Sequence, residues 1–158
     1  MTRDTGPPEF ALTLERLLDA PVGEIWRCWT EPALLEQWFC PKPWYVTDAR
    51  IELRPGGEFS SVMHGPDGED VDAAGVVLEA VPGKRLITTD AFRPGWIPSE
   101  RAFMVTEIRL EAAGAGRTRY TARVRHWDEA ARAEHEAMGF HEGWGQAADQ
   151  LEALARSL

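Results

Sequence analysis

The sequence lacks any long apolar run, any cysteine framework and any recognisable metal-binding pattern. No stretch approaches the ~18 apolar residues of a membrane-spanning helix, so we expect no membrane insertion. Cys28 and Cys40 form neither a CxxC pair nor part of a Cys/His zinc pattern, and we expect two buried free thiols. His135 and His141 are six residues apart, a spacing that does not place both on one helix face. No metal ion is therefore predicted.

Basic residues are also scarce. The chain has 26 acidic and 17 basic residues and a formal net charge of −9, so nucleic acid and anionic membrane surfaces repel it unless it carries a local basic patch. The densest basic run extends from Arg117 to Arg125, and its arginines at 119, 123 and 125 share one parity. They are predicted to form the solvent face of a strand, and we expect no nucleic-acid partner.

Nucleotide-binding and nucleophile motifs are absent as well. The sequence has no P-loop, no dinucleotide fingerprint and no nucleophile elbow. Its clustered glycines, Gly139 to Gly145, lie inside a predicted helix that no strand and turn precede. We therefore expect no cofactor.

The length predicts one domain. Residues 1–8 lack the apolar core of a secretory signal and are predicted to be a short disordered lead, so the expected location is the cytoplasm. Residues 9–158 are predicted to form a single domain. A chain of this size buries roughly 68–70% of its unfolded surface, which leaves room for a cavity in the core. Seven Trp residues favour extensive aromatic packing.

The first forty residues predict a strand and two short helices. Phe10 to Ala20 alternates apolar and polar residues as a strand does. Pro21 suits the first turn of a helix. The apolar spacing then predicts one helix carrying Val22, Ile25, Trp26 and Trp29, and after Thr30-Glu31-Pro32 a second carrying Leu34, Leu35, Trp38 and Phe39. Pro41 and Pro43 end the second helix.

In the middle of the chain, apolar and polar residues alternate with a period of two, as in β-strands. Short turns such as Gly65-Pro66-Asp67-Gly68 separate its segments, and short turns force antiparallel neighbours. A sheet with this many strands twists and curls. The six predicted strands are Trp44–Leu53, with Tyr45, Thr47, Ala49, Ile51 and Leu53 on one face, then Glu58–His64, Asp72–Val81, Arg85–Phe92, Ala102–Glu111 and Thr118–His126. The last of these is predicted to point Tyr120, Ala122, Val124 and His126 inward.

The last thirty residues predict one long helix, from about Glu129 to Leu158. Its apolar stripe comprises Phe140, Trp144, Ala147, Leu151, Leu154 and Leu158. Glycines within it lower helix propensity by up to ~1 kcal/mol each. Either close packing against a strand or space for a ligand would compensate, and the sequence leaves both readings open. The whole is an α+β fold: a curved antiparallel sheet of about seven strands wrapped around a long C-terminal helix, with two short helices between strands 1 and 2.

Several motifs carry a resemblance that extends from about residue 10 to 158. They are Ala20-Pro21-Val22 with Ile25-Trp26 and Trp29-Thr30, Leu35-Glu36-Gln37-Trp38-Phe39, Arg54-Pro55-Gly56-Gly57, Met63 with Gly65-Pro66-Asp67-Gly68, and Met138-Gly139 with Gly143-Trp144. With them the chain resembles the stand-alone bacterial members of the heat-shock-protein-90 ATPase activator family, named after the activator's C-terminal domain. That family lies in the START-like, or birch-pollen-allergen-like, helix-grip superfamily, which includes lipid-transfer proteins and polyketide cyclases.

The resemblance implies a cavity between helix and sheet but no single chemistry, since function on a shared fold lies in the site. The leading expectation is binding of an apolar or amphipathic small molecule. One alternative is an enzyme of the polyketide-cyclase or dehydratase type. Another is a co-chaperone that stimulates a heat-shock-protein-90 ATPase. We do not expect a chaperone partner, because the eukaryotic activator carries a separate N-terminal domain and here only about eight residues precede the first strand.

The expected ligand-binding residues are aromatic or Met-rich, which is typical of an apolar site. The cavity wall is predicted to contain Phe59, Met63, Tyr120, Val124, Met138, His141 and Trp144, and its mouth Trp38, Phe39, Trp44 and Trp96. Ordinary core packing is the competing interpretation for each.

No set of catalytic residues is predicted. His126, His141 and Asp90 are weak candidates for polarising a carbonyl or moving a proton. An exposed sheet edge is compatible with a homodimer.

Overall fold

The computed structural model describes residues 9–158, and the disordered lead expected for residues 1–8 lies outside the described residues. The described residues form ten strands: β1 (Phe10–Leu18), β2 (Tyr45–Ile51), β3 (Phe59–His64), β4 (Asp70–Ala73), β5 (Val76–Val81), β6 (Arg85–Thr89), β7 (Phe92–Arg93), β8 (Ile97–Pro98), β9 (Met104–Ala112) and β10 (Thr118–His126). They also form four helices: α1 (Val22–Thr30), α2 (Pro32–Leu35), α3 (Glu129–Ala137) and α4 (Phe140–Arg156).

The larger sheet has five antiparallel strands in the order β1-β10-β9-β6-β5. Phe10 lies opposite His126 at one end of the β1–β10 pair, and Leu18 lies opposite Thr118 at the other. The structure confirms the inward parity predicted for β10, because Tyr120, Ala122, Val124 and His126 are all buried. On the outer face Arg123 and Arg125 form ion pairs with Glu9.

Backbone hydrogen bonds join the smaller sheet, β2-β3-β4, to the larger one. The amide N–H of Phe59 donates to the Gly75 carbonyl at 3.0 Å, and that of Val77 donates to the Gly57 carbonyl at 2.8 Å. The single strand predicted over Asp72–Val81 is therefore wrong. The chain changes sheets between β4 and β5, where a Cβ on Gly75 would lie 2.5 Å from the Thr89 carbonyl oxygen.

The first half of β2 also departs from the predicted alternation. A bulge lies between Thr47 and Arg50, and Asp48 has a φ of 56°. A bulge inserts one residue and reverses the faces of the strand on either side of it. Val46 is consequently buried, whereas Tyr45, which was predicted to share a face with Ile51, is 57% exposed.

The C-terminal segment is two helices and not the single helix expected. Gly139 has a φ of 92°, a left-handed conformation that separates α3 from α4. Asp128 caps α3 by accepting a hydrogen bond from the Ala131 amide. The predicted stripe holds at Phe140 and Leu151, which are buried, but α4 ends at Arg156 and Leu158 is 46% exposed.

The second short helix is likewise shorter than predicted. It ends at Leu35, and turns carry the chain to Phe39. The fold class is nevertheless as predicted: α+β, with an antiparallel sheet that packs its concave side against the C-terminal helix. Side chains from β10, α1 and α4 share one buried core, among them Val124, Ile25 and Leu151.

Candidate functional site

An aromatic cluster lies where α1 and α2 end. The ring centroids of Trp29 and Trp38 are 5.0 Å apart, and those of Trp29 and Phe39 are 5.5 Å apart, both in edge-to-face contact. Phe59 stacks on Trp29 at 6.3 Å. Trp38 is fixed further because its indole N–H donates to the Cys28 carbonyl at 2.9 Å. Trp29 comes from α1, Trp38 and Phe39 from the turns that follow α2, and Phe59 from β3.

A cleft of about 430 Å³ opens beside this cluster, lined by residues 36–40 and 42–46 and by Gln150. It brings together three of the four residues predicted for the mouth, Trp38, Phe39 and Trp44. The fourth, Trp96, lies instead on the β7–β8 hairpin, where it contacts Phe92 and is 50% exposed.

One side chain of α4 fastens the wall of the cleft. The Gln150 amide donates to the carbonyls of Trp38 at 2.9 Å and Cys40 at 2.7 Å, and its oxygen accepts from the Lys42 amide at 3.0 Å. Gln146 adds a hydrogen bond to the Lys42 carbonyl at 3.2 Å. These hydrogen bonds to α4 fix the backbone of the loop from Trp38 to Lys42, which we call the cleft loop. Sequence reasoning missed Gln150, since a polar residue beside an apolar stripe gives no sign of what it contacts.

Cys40 and Glu36 supply the thiol and the carboxylate in the wall of the cleft. Burial raises the pKa of the Cys40 thiol to about 11, so the thiol stays protonated and is a poor nucleophile at neutral pH. Burial also raises the pKa of Cys28 to about 11. The Glu36 carboxylate is occupied, because it accepts a hydrogen bond from the Ala49 amide.

The residues predicted for the cavity wall do not all meet. Tyr120 and Val124 are buried on the concave face of β10. Phe59 and Met63 are half-buried on β3, and Trp144 is half-buried and stacks on Phe140 at 5.2 Å. Met138, at the end of α3, is 71% exposed. His141 is also exposed, with Nε2 3.8 Å from a Glu136 carboxylate oxygen.

A second depression, of about 470 Å³, lies beside the first residue of α1 and contains Val22, Lys84 and Arg109. Arg85 at its rim pairs with Glu79, and Arg109 pairs with Glu107. Four of its eight lining residues are charged, so it suits an apolar ligand less well than the aromatic cleft does.

The catalytic candidate His126 belongs to a buried histidine pair. Its Nε2 lies 2.8 Å from Nδ1 of His135, and its Nδ1 lies 2.9 Å from the Phe10 carbonyl oxygen. A carbonyl only accepts, so His126 Nδ1 carries a proton and its Nε2, in the neutral ring, accepts from His135. The rings of Phe103 and Phe140 pack against His135 at 5.0 and 5.1 Å.

Burial, with the nearby His126 adding to it, lowers the pKa of His135 to about 4. Sequence reasoning considered His135 only as a possible metal ligand, rejected that role and missed the pair. The available signal was the inward parity of His126 together with a short turn into α3. Both nitrogens of His126 serve to tie β1, β10 and α3 together.

Asp90 and His141, the other catalytic candidates, lie elsewhere. One carboxylate oxygen of Asp90 accepts from the backbone amides of Phe103 at 2.9 Å and Met104 at 3.1 Å. Asp90 thus orders the approach to β9. Neither residue forms a hydrogen bond with the histidine pair among the described residues.

A hydroxyl–imidazole–carboxylate arrangement, missed by sequence reasoning, crosses the outer face of the smaller sheet. His64 lies between the Thr47 hydroxyl and the Asp70 carboxylate, at 2.7 Å from each. The Asp48 carboxylate is 3.2 Å from the same hydroxyl. A negative charge beside the hydroxyl opposes the development of an oxyanion there, and the Asp70 side chain is 71% exposed. The arrangement therefore does not favour acyl transfer.

No helix in residues 9–158 is long and apolar enough to cross a membrane. Over the same part of the chain, no group of three or more His, Cys, Asp or Glu side chains has a geometry that could hold a metal ion.

Comparisons with known proteins agree with this architecture. The model of the family described as "Activator of Hsp90 ATPase homolog 1-like protein" matches residues 19–156. No curated protein matches the chain.

Solved bacterial structures are similar over almost the whole length. Protein NE0264 from Nitrosomonas europaea is 46% identical, with a TM-score of 0.89 and coverage of 93% of this chain and 94% of that one. Protein Ms6760 from Mycobacterium smegmatis is 26% identical, with a TM-score of 0.77 and coverage of 92% and 90%. A Rhodobacter sphaeroides protein is 25% identical, with a TM-score of 0.81 and coverage of 97% of both chains.

Proposed function

The chain belongs to the family of Activator of Hsp90 ATPase homolog 1-like proteins, and we propose that it binds an apolar or amphipathic small molecule in the aromatic cleft. The cleft, of about 430 Å³ and walled by Trp38, Phe39 and Trp44, is the observation that carries this proposal. Ligand pockets are typically ~300–1,000 Å³, mostly apolar, with a few placed polar groups.

The walls suit a flat or branched apolar molecule. The Cys28 carbonyl holds the Trp38 indole, and Gln150 holds the backbone from Trp38 to Lys42, so the rings are positioned before a ligand arrives. Such preorganisation reduces the entropy lost on binding. An aromatic ligand adds roughly 0.5–1.5 kcal/mol for each ring contact beyond the area it buries.

A thermal-shift screen tests the proposal with fatty acids, sterols, flavonoids and aromatic polyketides as probes. A ligand at a hundred times its dissociation constant stabilises the fold by about 2.7 kcal/mol, which is readily measured. The informative variant is Trp44→Ala, which removes a cleft wall. The matched control is Trp127→Ala, since Trp127 is 53% exposed and lies outside the cleft.

We expect at least one chemical class to raise the Tm of the wild type and of Trp127→Ala. The same class should have little effect on Trp44→Ala. No shift with any class, or an unchanged shift in a folded Trp44→Ala variant, would contradict the proposal.

A further inference from the structure

A buried hydrogen-bond donor without a partner lies next to the cleft. The Trp29 side chain is 2% exposed, and its indole Nε1 has no hydrogen-bond partner among the described residues. An indole nitrogen can only donate. Unpartnered buried polar groups are rare in folded proteins, and each one calls for an explanation.

A second donor lies beside it. Tyr120 is buried on the concave face of β10, and its hydroxyl can donate a hydrogen bond as well as accept one. Burial raises the pKa of this phenol, and the neighbouring Trp29 indole lowers it in part. The indole N–H is thus close enough to the phenol oxygen to act on it, yet does not reach hydrogen-bond geometry.

The route from the cleft to these donors passes one side chain. Trp38 and Phe39 line the cleft, and both contact the Trp29 ring. Trp38 is buried and anchored to the Cys28 carbonyl, whereas Phe39 is half-buried and has no polar anchor. Phe39 is therefore the side chain whose rotamer would have to change for the cleft to reach Trp29.

We propose that Trp29 and Tyr120 bind the polar end of the ligand, an uncharged carbonyl oxygen on an otherwise apolar molecule, which enters from the cleft past Phe39. The proposal rests on the function proposed above and names the chemical class of the ligand. Both groups donate, so their shared partner must be an acceptor. Both side chains pack within the apolar core cluster, which favours a neutral carbonyl over a carboxylate.

A matched pair of probes isolates the carbonyl. 2-Acetylnaphthalene and 2-ethylnaphthalene have nearly the same shape. The first has a carbonyl at the position where the second has a methylene. Their affinities would be measured by calorimetric titration of the wild type, Trp29→Phe and Tyr120→Phe. The control is Trp26→Phe, because Trp26 is a half-buried indole of the same helix and does not line the cleft.

We expect the wild type and Trp26→Phe to prefer the ketone by roughly tenfold, as one neutral hydrogen bond to a buried donor provides. Trp29→Phe should bring the ratio close to one. Tyr120→Phe should reduce it and supplies the comparison if Trp29→Phe does not fold. In ¹⁵N NMR spectra of the wild type, the Trp29 indole N–H resonance should move downfield with the ketone and not with the hydrocarbon.

Equal affinity of the wild type for both probes would overturn this inference and leave apolar binding in the cleft intact. A preference that persists in both Trp29→Phe and Tyr120→Phe would also overturn it. If neither probe binds the wild type, the result contradicts the function proposed for the cleft, and this inference with it.

Discussion

Lowering the pH from 7 to 4 should destabilise the protein through one identifiable side chain, His135. The native structure buries this ring, bonds it to His126 at 2.8 Å and surrounds it with Phe103 and Phe140. Burial lowers its pKa from 6.5 to about 4. The unfolded chain therefore binds a proton at His135 below about pH 6.5, whereas the native state binds it only near pH 4.

Proton linkage gives the direction and the size of this change in the free energy of unfolding. Between pH 6.5 and 4 the unfolded state holds more protons, so stability falls as the pH falls through this window and is fully present above it. The change in pKa corresponds to roughly 3 kcal/mol. We expect about 2 kcal/mol in solution, because water at the edge of the site screens part of the effect.

The assay is urea unfolding at several pH values between 7.5 and 4 for the wild type and His135→Asn. The Asn amide can still donate to His126 but does not titrate. The difference between the two proteins removes the contribution of carboxylates that titrate in the same range. His141→Ala is the control, since His141 is exposed and lies outside the pair. Parallel stability curves for the wild type and His135→Asn would refute the reasoning.

Three further changes test other parts of the structure. Gln150→Leu removes three hydrogen bonds to the cleft loop and should cost roughly 2–4 kcal/mol in urea unfolding, whereas Gln146→Leu removes one bond to that loop; similar costs would contradict the anchoring role of Gln150. Gly139→Ala should lose about 1–2 kcal/mol because of the positive φ, while Gly23→Ala, with open space at the Cβ position, should be neutral or stabilising; equal Tm changes would contradict this. Cys40 should react slowly with iodoacetamide at pH 7.5 because its pKa is about 11, and alkylation as fast as that of an unhindered thiol would show otherwise.

Local periodicity predicted much of the fold. In β10 the alternation of Tyr120, Ala122 and Val124 with arginines identified the buried face, because a strand exposes successive side chains to opposite sides. In α1 the spacing of Ile25 and Trp29 did the same for a helix. These features depend on neighbours in the chain, so the sequence contains them directly.

Two breaks in regular structure escaped prediction. The bulge at Asp48 reversed the faces of β2, and the left-handed turn at Gly139 divided the C-terminal helix. Each replaces a regular conformation that the local sequence also permits. The energy that selects the break comes from packing on the rest of the protein, which periodicity does not report.

The candidate site was predictable only in part. The mouth residues Trp38, Phe39 and Trp44 do line one cleft. Gln150, which holds its wall, is more than a hundred residues away along the chain. The histidine pair and the Trp29–Tyr120 pair likewise join residues from different elements.

The sequence by itself determined the fold class, the inward face of β10 and the family, because these depend on residue order and spacing. Only the tertiary structure decided that Gln150 shapes a cleft, that His126 bonds His135 and that the Trp29 donor is left without a partner. Hydrogen bonds form over about 3 Å in space whatever the separation in sequence. Distances on that scale are set only when the sheet and the C-terminal helix pack together.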